Sequence, residues 1–433
     1  MTLELLLAVG ILLSTASQLR PSGAPIGPGE VCLVIWIVLM IGRQTVHLGV
    51  QFTPALSRLV VFWLLFAMAQ SIGTLAGFAI GDVHDTSLFM HDVLAYPLLA
   101  AISVLCTVEP GAGPRLHRVA WCLVTVGSAA LALQVLLAWG LVGMGALDPW
   151  YWDRLRGWSD NPNQLAFLCA LLGLLSLHLA DVAASTPARI AAIAAAVLPI
   201  YVGRLTKGDT FSLVLVAAGP IFVALKLRTW LLSHQPRFTV RSAFAWIAIL
   251  ALPPLFVSAV PFGYSLAVEA RGLVDDLAKD NERGTEKTAQ IRLGAWRQAI
   301  DRGLESGMLG LGPGPHLPIP AWILEGRQDS SGAPKYLEHP EANGTPNFEA
   351  HNTVLDIFTQ GGLMAVLSLV WLVAATFLLT YRTRLDGLTM LLCGLMIFSI
   401  FHLIVRHPLF WFAIAMCLVA SEGRRASLTR RWS

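Results

Sequence analysis

Apolar runs of membrane-spanning length recur along the chain and restrict its possible folds more than any other feature. A helix that crosses a bilayer needs about 20 mostly apolar residues, and the sequence holds about twelve such runs, or between about eleven and thirteen. Only 13% of the 433 residues are charged, whereas soluble domains carry about 25%. We therefore expect an all-α polytopic membrane protein. The predicted helices centre near residues 10, 35, 68, 98, 130, 170, 196, 217, 252, 368, 393 and 413.

One long polar segment interrupts this pattern, between Phe262 and Ala350. Ionisable groups at the mouth of a membrane bundle are costly to retain, so such a segment favours a functional site. Residues 268–303 within it have the pattern of one or two amphipathic helices. The chain is thus expected to form three regions: helices one to nine in 1–262, a large, partly helical loop in 263–350, and helices ten to twelve with a short tail in 351–433.

Basic residues in the short connections predict the orientation of the helices. One alternate set of connections holds fifteen Lys and Arg residues and the other holds six. Because positive charge marks the cytoplasmic side, both termini are predicted to be cytoplasmic and the long loop external. The convergence of the six external residues on one face favours a shared anionic ligand over separate solvated side chains. These residues are Arg20, Arg154, Arg156, Arg204, Lys207 and Arg406.

Several other kinds of site are not expected. The first four residues include no basic side chain, so the first apolar run predicts a helix rather than a signal peptide. The six cysteines fall within predicted helices without a Cys-x-x-Cys pair, which indicates neither disulfides nor a zinc site. The histidines and carboxylates lack metal-ligand spacing, so neither a metal nor another cofactor is predicted. Nucleic-acid binding has no basic domain to support it.

The connection before the sixth predicted helix has the residues of an anion site. Asn161-Pro162 predicts a turn into a helix, with the proline at a first-turn position. Helix N-termini offer free N–H groups to anions, and Arg154 and Arg156 could add bidentate phosphate contacts. An interfacial aromatic belt would explain the neighbouring Trp and Tyr residues, but not this arginine pattern.

Two further segments carry candidate chemistry. Arg292 and Trp296 lie four residues apart and therefore on one face of a helix. His351 opens the tenth predicted helix, whose dipole disfavours imidazolium, so a neutral side chain able to accept a proton is expected there. Residues 310–314, Gly-Leu-Gly-Pro-Gly, follow no strand and include a proline that lacks an N–H, so they predict a tight turn rather than a nucleotide loop.

Together these segments resemble the bacterial O-antigen ligase and polymerase superfamily of polytopic membrane glycosyltransferases, over roughly residues 150–365. Their order and spacing carry the resemblance. The motifs are Arg154-x-x-Gly157-x-x-x-Asn161-Pro162-Asn163, then Arg292-x-x-x-Trp296 with Leu309-Gly310-Leu311-Gly312, and then Ala350-His351-Asn352-Thr353 with Gly361-Gly362.

One stretch departs from the pattern of that family. Its members commonly have Thr-x-Ser-Arg-Gly near the seventh or eighth span, and the corresponding residues 205–210 here lack that arginine. Arg204 and Lys207 are therefore the candidate replacements.

The resemblance implies a GT-C-like architecture and transfer of a glycan from undecaprenyl diphosphate to a lipid A–core hydroxyl. The reaction would be inverting and metal-independent, at the periplasmic face of the bacterial inner membrane, and would complete lipopolysaccharide. The expected partners are that carrier-linked glycan, the lipid A–core acceptor and membrane lipids. His351 would be the general base. The diphosphate would be bound by Arg154, Arg156, Arg292, Arg204 and Lys207, with Asn163, Trp296 and Asn352 in support.

Other functions remain open on the sequence. An O-antigen polymerase would use a second carrier-linked repeat as acceptor, and a protein O-oligosaccharyltransferase would use a protein. The short C-terminal tail slightly disfavours the latter by analogy with that class. A lipid-glycan flippase or other transporter should carry ionisable residues deep within several spans or show two similar halves. Because the polar residues instead gather at one interface, an enzyme is favoured.

Overall fold

A computed structural model describes residues 2–21, 26–48, 52–82, 86–109, 112–143, 147–233, 243, 247, 283–318 and 347–429. The described chain is almost wholly helical. We number its helices α1 (Thr2–Leu13), α2 (Pro28–Arg43), α3 (Pro54–Ile80), α4 (Thr86–Thr107), α5 (Ala112–Ala138), α6 (Pro162–Val182), α7 (Thr186–Leu205), α8 (Asp209–Ser233), α9 (Arg283–Glu305), α10 (Thr353–Arg382), α11 (Asp386–Ser399) and α12 (Pro408–Thr429). Two short antiparallel pairs complete it: β1 (Trp150–Tyr151) with β2 (Arg154–Leu155), and β3 (Leu317–Pro318) with β4 (Asn347–Phe348).

The helices confirm an all-α polytopic membrane protein. Over the described residues, 8 helices are long and apolar enough to cross a membrane, namely α2 to α8 and α10. The predicted centres near residues 10, 393 and 413 lie in α1, α11 and α12. The centre near residue 252 lies outside the described residues, so the number of twelve spans stays a prediction. In the polar segment, α9 confirms a helix, while residues 268–282 also lie outside the described part.

Local sequence accounts for where several helices begin. Thr53 precedes Pro54, and its hydroxyl accepts a hydrogen bond from the Leu56 backbone N–H at 3.1 Å. Pro162 follows Asn161 in the same way, with the asparagine side chain as cap. A polar cap satisfies an N–H that the helix leaves unpaired, and a proline just inside has no N–H to leave unpaired.

The core lies between helices whose apolar residues face one another. Helix α6 is its central element, since it is buried along most of its length and packs against α5, α7, α8 and α11. Helix α10 packs along α3, and α12 closes the other side of α3 and α4. There the Trp63 and Trp411 rings lie 4.3 Å apart, centroid to centroid. Aromatic side chains thereby contribute to the packing between α3 and α12.

Alternate connections of the bundle meet at one end, which we call the loop end. At this end the Gln18 amide donates to the Ser159 carbonyl at 2.8 Å, and the Asn352 amide donates to the Ile400 carbonyl at 2.9 Å. Helix α9 joins them through the Arg302–Asp82 ion pair at 2.6 Å. These contacts gather the connections that carry Arg154, Lys207 and Arg406 with α9 at the loop end, as the charge pattern predicted.

The glycine-rich segment after α9 makes a tight turn and also pairs with a membrane helix. The φ angles of Gly310 and Gly312 are +86° and +102°, which confirms the predicted turn. The Gly312 N–H donates to the Gln360 carbonyl at 2.8 Å, and the Leu363 N–H donates to the Met308 carbonyl at 2.9 Å. Helix α10 is broken where the glycine-rich segment meets it. Irregular backbone at membrane depth requires protein partners for its polar groups, and this segment and α10 supply them to each other.

Replacing Gly310 with alanine is expected to lower the free energy of unfolding by about 1–3 kcal/mol, because the residue has a positive φ. An added Cβ would also lie 2.4 Å from the Gln360 carbonyl oxygen. Gly307 is the matched control, since its φ is +65° but no atom lies within 4 Å of a Cβ there. Thermal unfolding in detergent should therefore show a larger loss for Gly310→Ala than for Gly307→Ala. Equal losses would mean that crowding against α10 contributes nothing.

Candidate functional site

A short turn between β4 and α10 presents His351 at the loop end. Its φ of +51° lies in the left-handed region, which costs most residues about 1–3 kcal/mol. The buried Asp356 carboxylate holds the turn, since it accepts hydrogen bonds from the Ala350 N–H at 2.7 Å and the Asn352 N–H at 3.1 Å. The Trp296 indole adds a hydrogen bond to the Ala350 carbonyl at 3.1 Å. Trp296 and Asn352 thus support the turn that carries His351.

The His351 side chain has partners on two sides and an open face. The Phe348 ring meets its imidazole edge-to-face at 5.1 Å, and the Glu349 carboxylate lies 4.0 Å from Nδ1. The side chain is 44% exposed. Partial burial lowers the pKa of His351 to about 4, and the nearby Arg292 guanidinium adds to this effect. Burial and the charge of Arg292 therefore favour the neutral imidazole of His351 near pH 7.

Helix α9 positions Arg292 beside the turn that bears His351. Ala295 and Ala299 on its inner face pack with Leu317 and Ala350, so the helix rests on the turn that bears His351. The Arg292 guanidinium lies over the Phe401 ring, 5.8 Å from its centroid. Burial lowers the pKa of Arg292, and this is opposed by the Asp209 carboxylate and reinforced by the Arg154 guanidinium. Arg292 is thus a half-buried cation with a second arginine near it.

Arg154 is fixed in place by the β1–β2 hairpin and two hydrogen bonds. Its Nε donates to the Thr206 carbonyl at 2.9 Å, and its NH2 donates to the Asn163 side-chain oxygen at 3.1 Å. Asn163 therefore supports Arg154. The His402 imidazole lies near the same charges, because burial, His351, Arg292, His407 and Arg154 together lower the pKa of His402 to about 3. We call Arg154, Asp209, Arg292, His351 and His402 the loop-end cluster.

The other predicted cations have partners of their own. Arg156 is buried and pairs with Asp148 at 2.7 Å. Lys207 pairs with Asp153 at 2.5 Å on the exposed surface, which lowers the pKa of Asp153. Arg204 donates to the Ser212 hydroxyl at 3.1 Å and is exposed. Of the five predicted cations, the structure relates only Arg154 and Arg292 to each other and to the histidines.

The two helix starts are already capped, contrary to the expectation of free N–H groups there. At α10, the Asn352 side-chain oxygen accepts from the Val354 and Leu355 N–H groups at 3.0 and 3.2 Å. At α6, the Asn161 side-chain oxygen accepts from the Asn163 N–H at 2.8 Å. An asparagine cap occupies some of the N–H donors that an anion would otherwise use. Arginine side chains, rather than helix N-termini, are therefore the better candidates for binding an anion.

Some members of the cluster were missed by sequence reasoning. Asp209 follows Lys207-Gly208 at the start of α8, where it resembles an ordinary surface residue. His402 lies in the α11–α12 connection, and only its proximity to Arg406 and His407 signalled a polar segment. Among the residues described, no group of three His, Cys, Asp or Glu side chains converges as a metal-ligand set.

A comparison with protein families bears on this geometry. A family model described as O-antigen ligase matches residues 174–370. The matched range includes Arg292 and His351 and ends within the last predicted region, 351–433. Arg154 lies before the matched range. A search of curated proteins found no match. Residues 174–370 are therefore similar to the O-antigen ligase family, and the resemblance that the motifs indicate is confirmed over that range.

Proposed function

We propose that the protein transfers a glycan from undecaprenyl diphosphate to a lipid A–core hydroxyl, and so acts as an O-antigen ligase. The observation that carries this proposal is the loop-end cluster. It combines a neutral, partly exposed imidazole with two fixed arginines at one end of a membrane bundle. The match to the O-antigen ligase family supports the same class of reaction.

The cluster suits the proposed chemistry. The leaving group already carries a diphosphate, so its departure requires charge neutralisation rather than protonation. Arg154 and Arg292 would bind it, because fixed guanidinium groups in a partly dry site stabilise developing charge without reorganising. His351 would take the proton from the acceptor hydroxyl as that oxygen attacks the anomeric carbon. One displacement with base and leaving group on opposite faces gives inversion of configuration.

Arg156, Arg204 and Lys207 have smaller parts in this proposal. Arg156 is paired with Asp148 in a buried position, so we assign it to the scaffold of the hairpin that carries Arg154. Arg204 and Lys207 are exposed at the loop end and would attract an anionic donor without binding it in the cluster. A metal is not required in this mechanism because the two guanidinium groups supply the positive charge.

The proposed location follows from the distribution of basic residues. Among the short connections, those opposite the loop end carry most of the Lys and Arg residues, which favours the cytoplasm for that end. The loop end would then face the periplasm of a bacterial inner membrane. A carrier diphosphate at that membrane surface would meet Arg154 and Arg292 directly.

Reconstitution of the purified protein in vesicles tests the function. The vesicles would contain carrier-linked glycan and lipid A–core, and the products would be separated by electrophoresis. Glycan-capped lipid A–core is the expected product. Lengthened carrier-linked glycan without capping would identify a polymerase instead. Movement of unchanged carrier-linked glycan across the bilayer, without transfer, would identify a transporter.

The pH dependence of transfer should reflect the neutral His351. We expect kcat/KM to stay level from pH 7 down to about pH 5, since kcat/KM reports the free enzyme's ionisations. The base is active when deprotonated, and the pKa of His351 is lowered from 6.5 to about 4, so its acid limb moves to lower pH. A fall in kcat/KM centred near the ordinary histidine value would contradict the assignment. Tryptophan fluorescence across the same range would control for unfolding.

A further inference from the structure

Glu349 stands at the centre of a chain of charged groups that leads to His351. One carboxylate oxygen of Glu349 lies 4.0 Å from His351 Nδ1, and the other accepts from Arg406 NH2. Glu349 is therefore shared between the imidazole and a guanidinium. It is not one of the residues in the family motifs that contain His351.

Arg406 is itself anchored deeply in the protein. Its NH1 donates to Asp92 at 3.1 Å, and the Asp92 side chain on α4 is fully buried. Asp92 also contacts the Gln360 amide at 3.5 Å, and the Tyr96 hydroxyl donates to the Gln360 side-chain oxygen at 2.6 Å. A guanidinium held between two carboxylates has little freedom, because its planar fork fixes both directions. Glu349 thus has an immobile partner.

The backbone beside this pair is equally well held. The Thr353 hydroxyl donates to the His402 carbonyl at 2.6 Å and accepts from the Ile404 N–H at 3.0 Å. With the Asn352–Ile400 hydrogen bond, these contacts join the turn that bears His351 to the α11–α12 connection that bears Arg406. The separation between Glu349 and His351 is therefore set by the fold rather than by the two side chains alone.

We propose that Glu349, held by Arg406, is a positioning residue that directs Nδ1–H of His351 toward its carboxylate and leaves Nε2 as the proton acceptor. The carboxylate also stabilises the imidazolium that forms when His351 takes the acceptor's proton. This inference rests on the proposed function. A separation of 4.0 Å exceeds a hydrogen bond, but catalytic contacts are often long in the unliganded enzyme and shorten when substrate binds.

Other charged groups around His351 also affect how readily its imidazole takes a proton. Arg292 on α9 opposes imidazolium formation, and His402 on the α11–α12 connection is a second neutral imidazole beside it. Asp356 on α10 is buried beneath the turn and accepts two backbone hydrogen bonds. The Glu349 carboxylate lies 4.0 Å from His351 Nδ1, and in our proposal its negative charge offsets the repulsion from Arg292.

The opposing interpretation is that Glu349 and Arg406 form only a structural ion pair. The substitution Glu349→Gln distinguishes the two interpretations. Glutamine keeps an oxygen that can accept a hydrogen bond from Arg406, but it loses the negative charge. Glu422→Gln is the matched control. Glu422 is 24% exposed and pairs with Arg58 at 3.4 Å, while Glu349 is 28% exposed, and Glu422 lies at the opposite end of the bundle.

The first experiment measures transfer kinetics in vesicles. We expect Glu349→Gln to lower kcat by about ten- to hundredfold, less than loss of a general base costs, with KM for both substrates within about twofold. Glu349→Asp, which keeps the charge, should recover part of kcat, and Glu422→Gln should resemble the wild type. Unchanged kcat in Glu349→Gln, or an equal fall in Glu422→Gln, would overturn the proposal.

The second experiment needs no substrate and so separates this inference from the proposed function. Nitrogen-15 NMR of histidine-labelled protein would follow the titration of His351, identified by the signal absent from His351→Asn. Removal of the carboxylate charge should lower the titration midpoint of His351 in Glu349→Gln and leave it unchanged in Glu422→Gln. An unchanged midpoint would overturn the inference. A lowered midpoint in a protein that transfers no glycan would support the inference and overturn the function.

Discussion

Replacement of His351 with asparagine is expected to lower kcat for glycan transfer by about 10²–10⁴-fold, the usual contribution of a general base. Asparagine suits the test because it tolerates the left-handed backbone at this position better than most residues. Its amide cannot accept the acceptor's proton at neutral pH. Binding of the donor should change little, because Arg154 and Arg292 remain. Initial rates at saturating donor and acceptor would measure the effect.

His117→Asn is the matched control for this substitution. His117 is half-buried like His351, but it lies on α5 away from the loop end and accepts a hydrogen bond from the Trp121 indole at 3.2 Å. We expect His117→Asn to keep wild-type kcat, and both variants to keep wild-type amounts of folded protein in the membrane. If His351→Asn retained full transfer activity, His351 would not be the base, and His402 would be the next group to replace.

The helices could be predicted from the sequence because a bilayer requires a simple pattern. A run of apolar residues with the length of the membrane has few alternatives to a spanning helix, so the centres that fall on described residues could be predicted without knowledge of packing. The basic residues predict the orientation of the helices, which stays a prediction, and the structure gathers the corresponding connections at one end. The pattern of apolar runs could not predict the break in α10. Its partner, the glycine-rich segment, is far away in sequence.

The candidate site was predictable only in part. Motif order pointed to Arg154, Arg292 and His351, which belong to the loop-end cluster. The same reasoning could not separate Arg154 from Arg156, because the two arginines share one connection. Only the fold brings Asp148 against Arg156 and leaves Arg154 directed toward Asn163 and Thr206.

Glu349 and Arg406 show why such ion pairs cannot be predicted from the sequence. They stand far apart in the chain, and each alone resembles a solvated charge beside a membrane helix. Their pairing depends on the turn before α10 meeting the α11–α12 connection. Spacing rules within one helix or one loop contain no information on that contact.

Replacement of Arg292 with alanine is expected to lower kcat/KM for the carrier-linked donor by about 10²–10³-fold, the usual cost of removing one preorganised group that stabilises transition-state charge. Arg292 is half-buried over the Phe401 ring, so its guanidinium is held before substrate arrives. Arg292→Lys should recover only part of the loss, because an ammonium group lacks the planar fork that binds two phosphate oxygens. Donor-dependent initial rates in vesicles would measure both variants.

Arg297→Ala is the matched control, since Arg297 lies on the same helix but is exposed. Its kcat/KM should remain within about twofold of wild type, because surface substitutions away from a site rarely matter. An equal loss in Arg297→Ala would mean that any positive charge on α9 promotes transfer, whatever its position on the helix.

The double variant Arg154→Lys, Arg292→Lys tests whether the two arginines bind one ligand. Two side chains that bind one diphosphate should give a double variant whose loss differs from the product of the single losses, whereas independent sites would give that product.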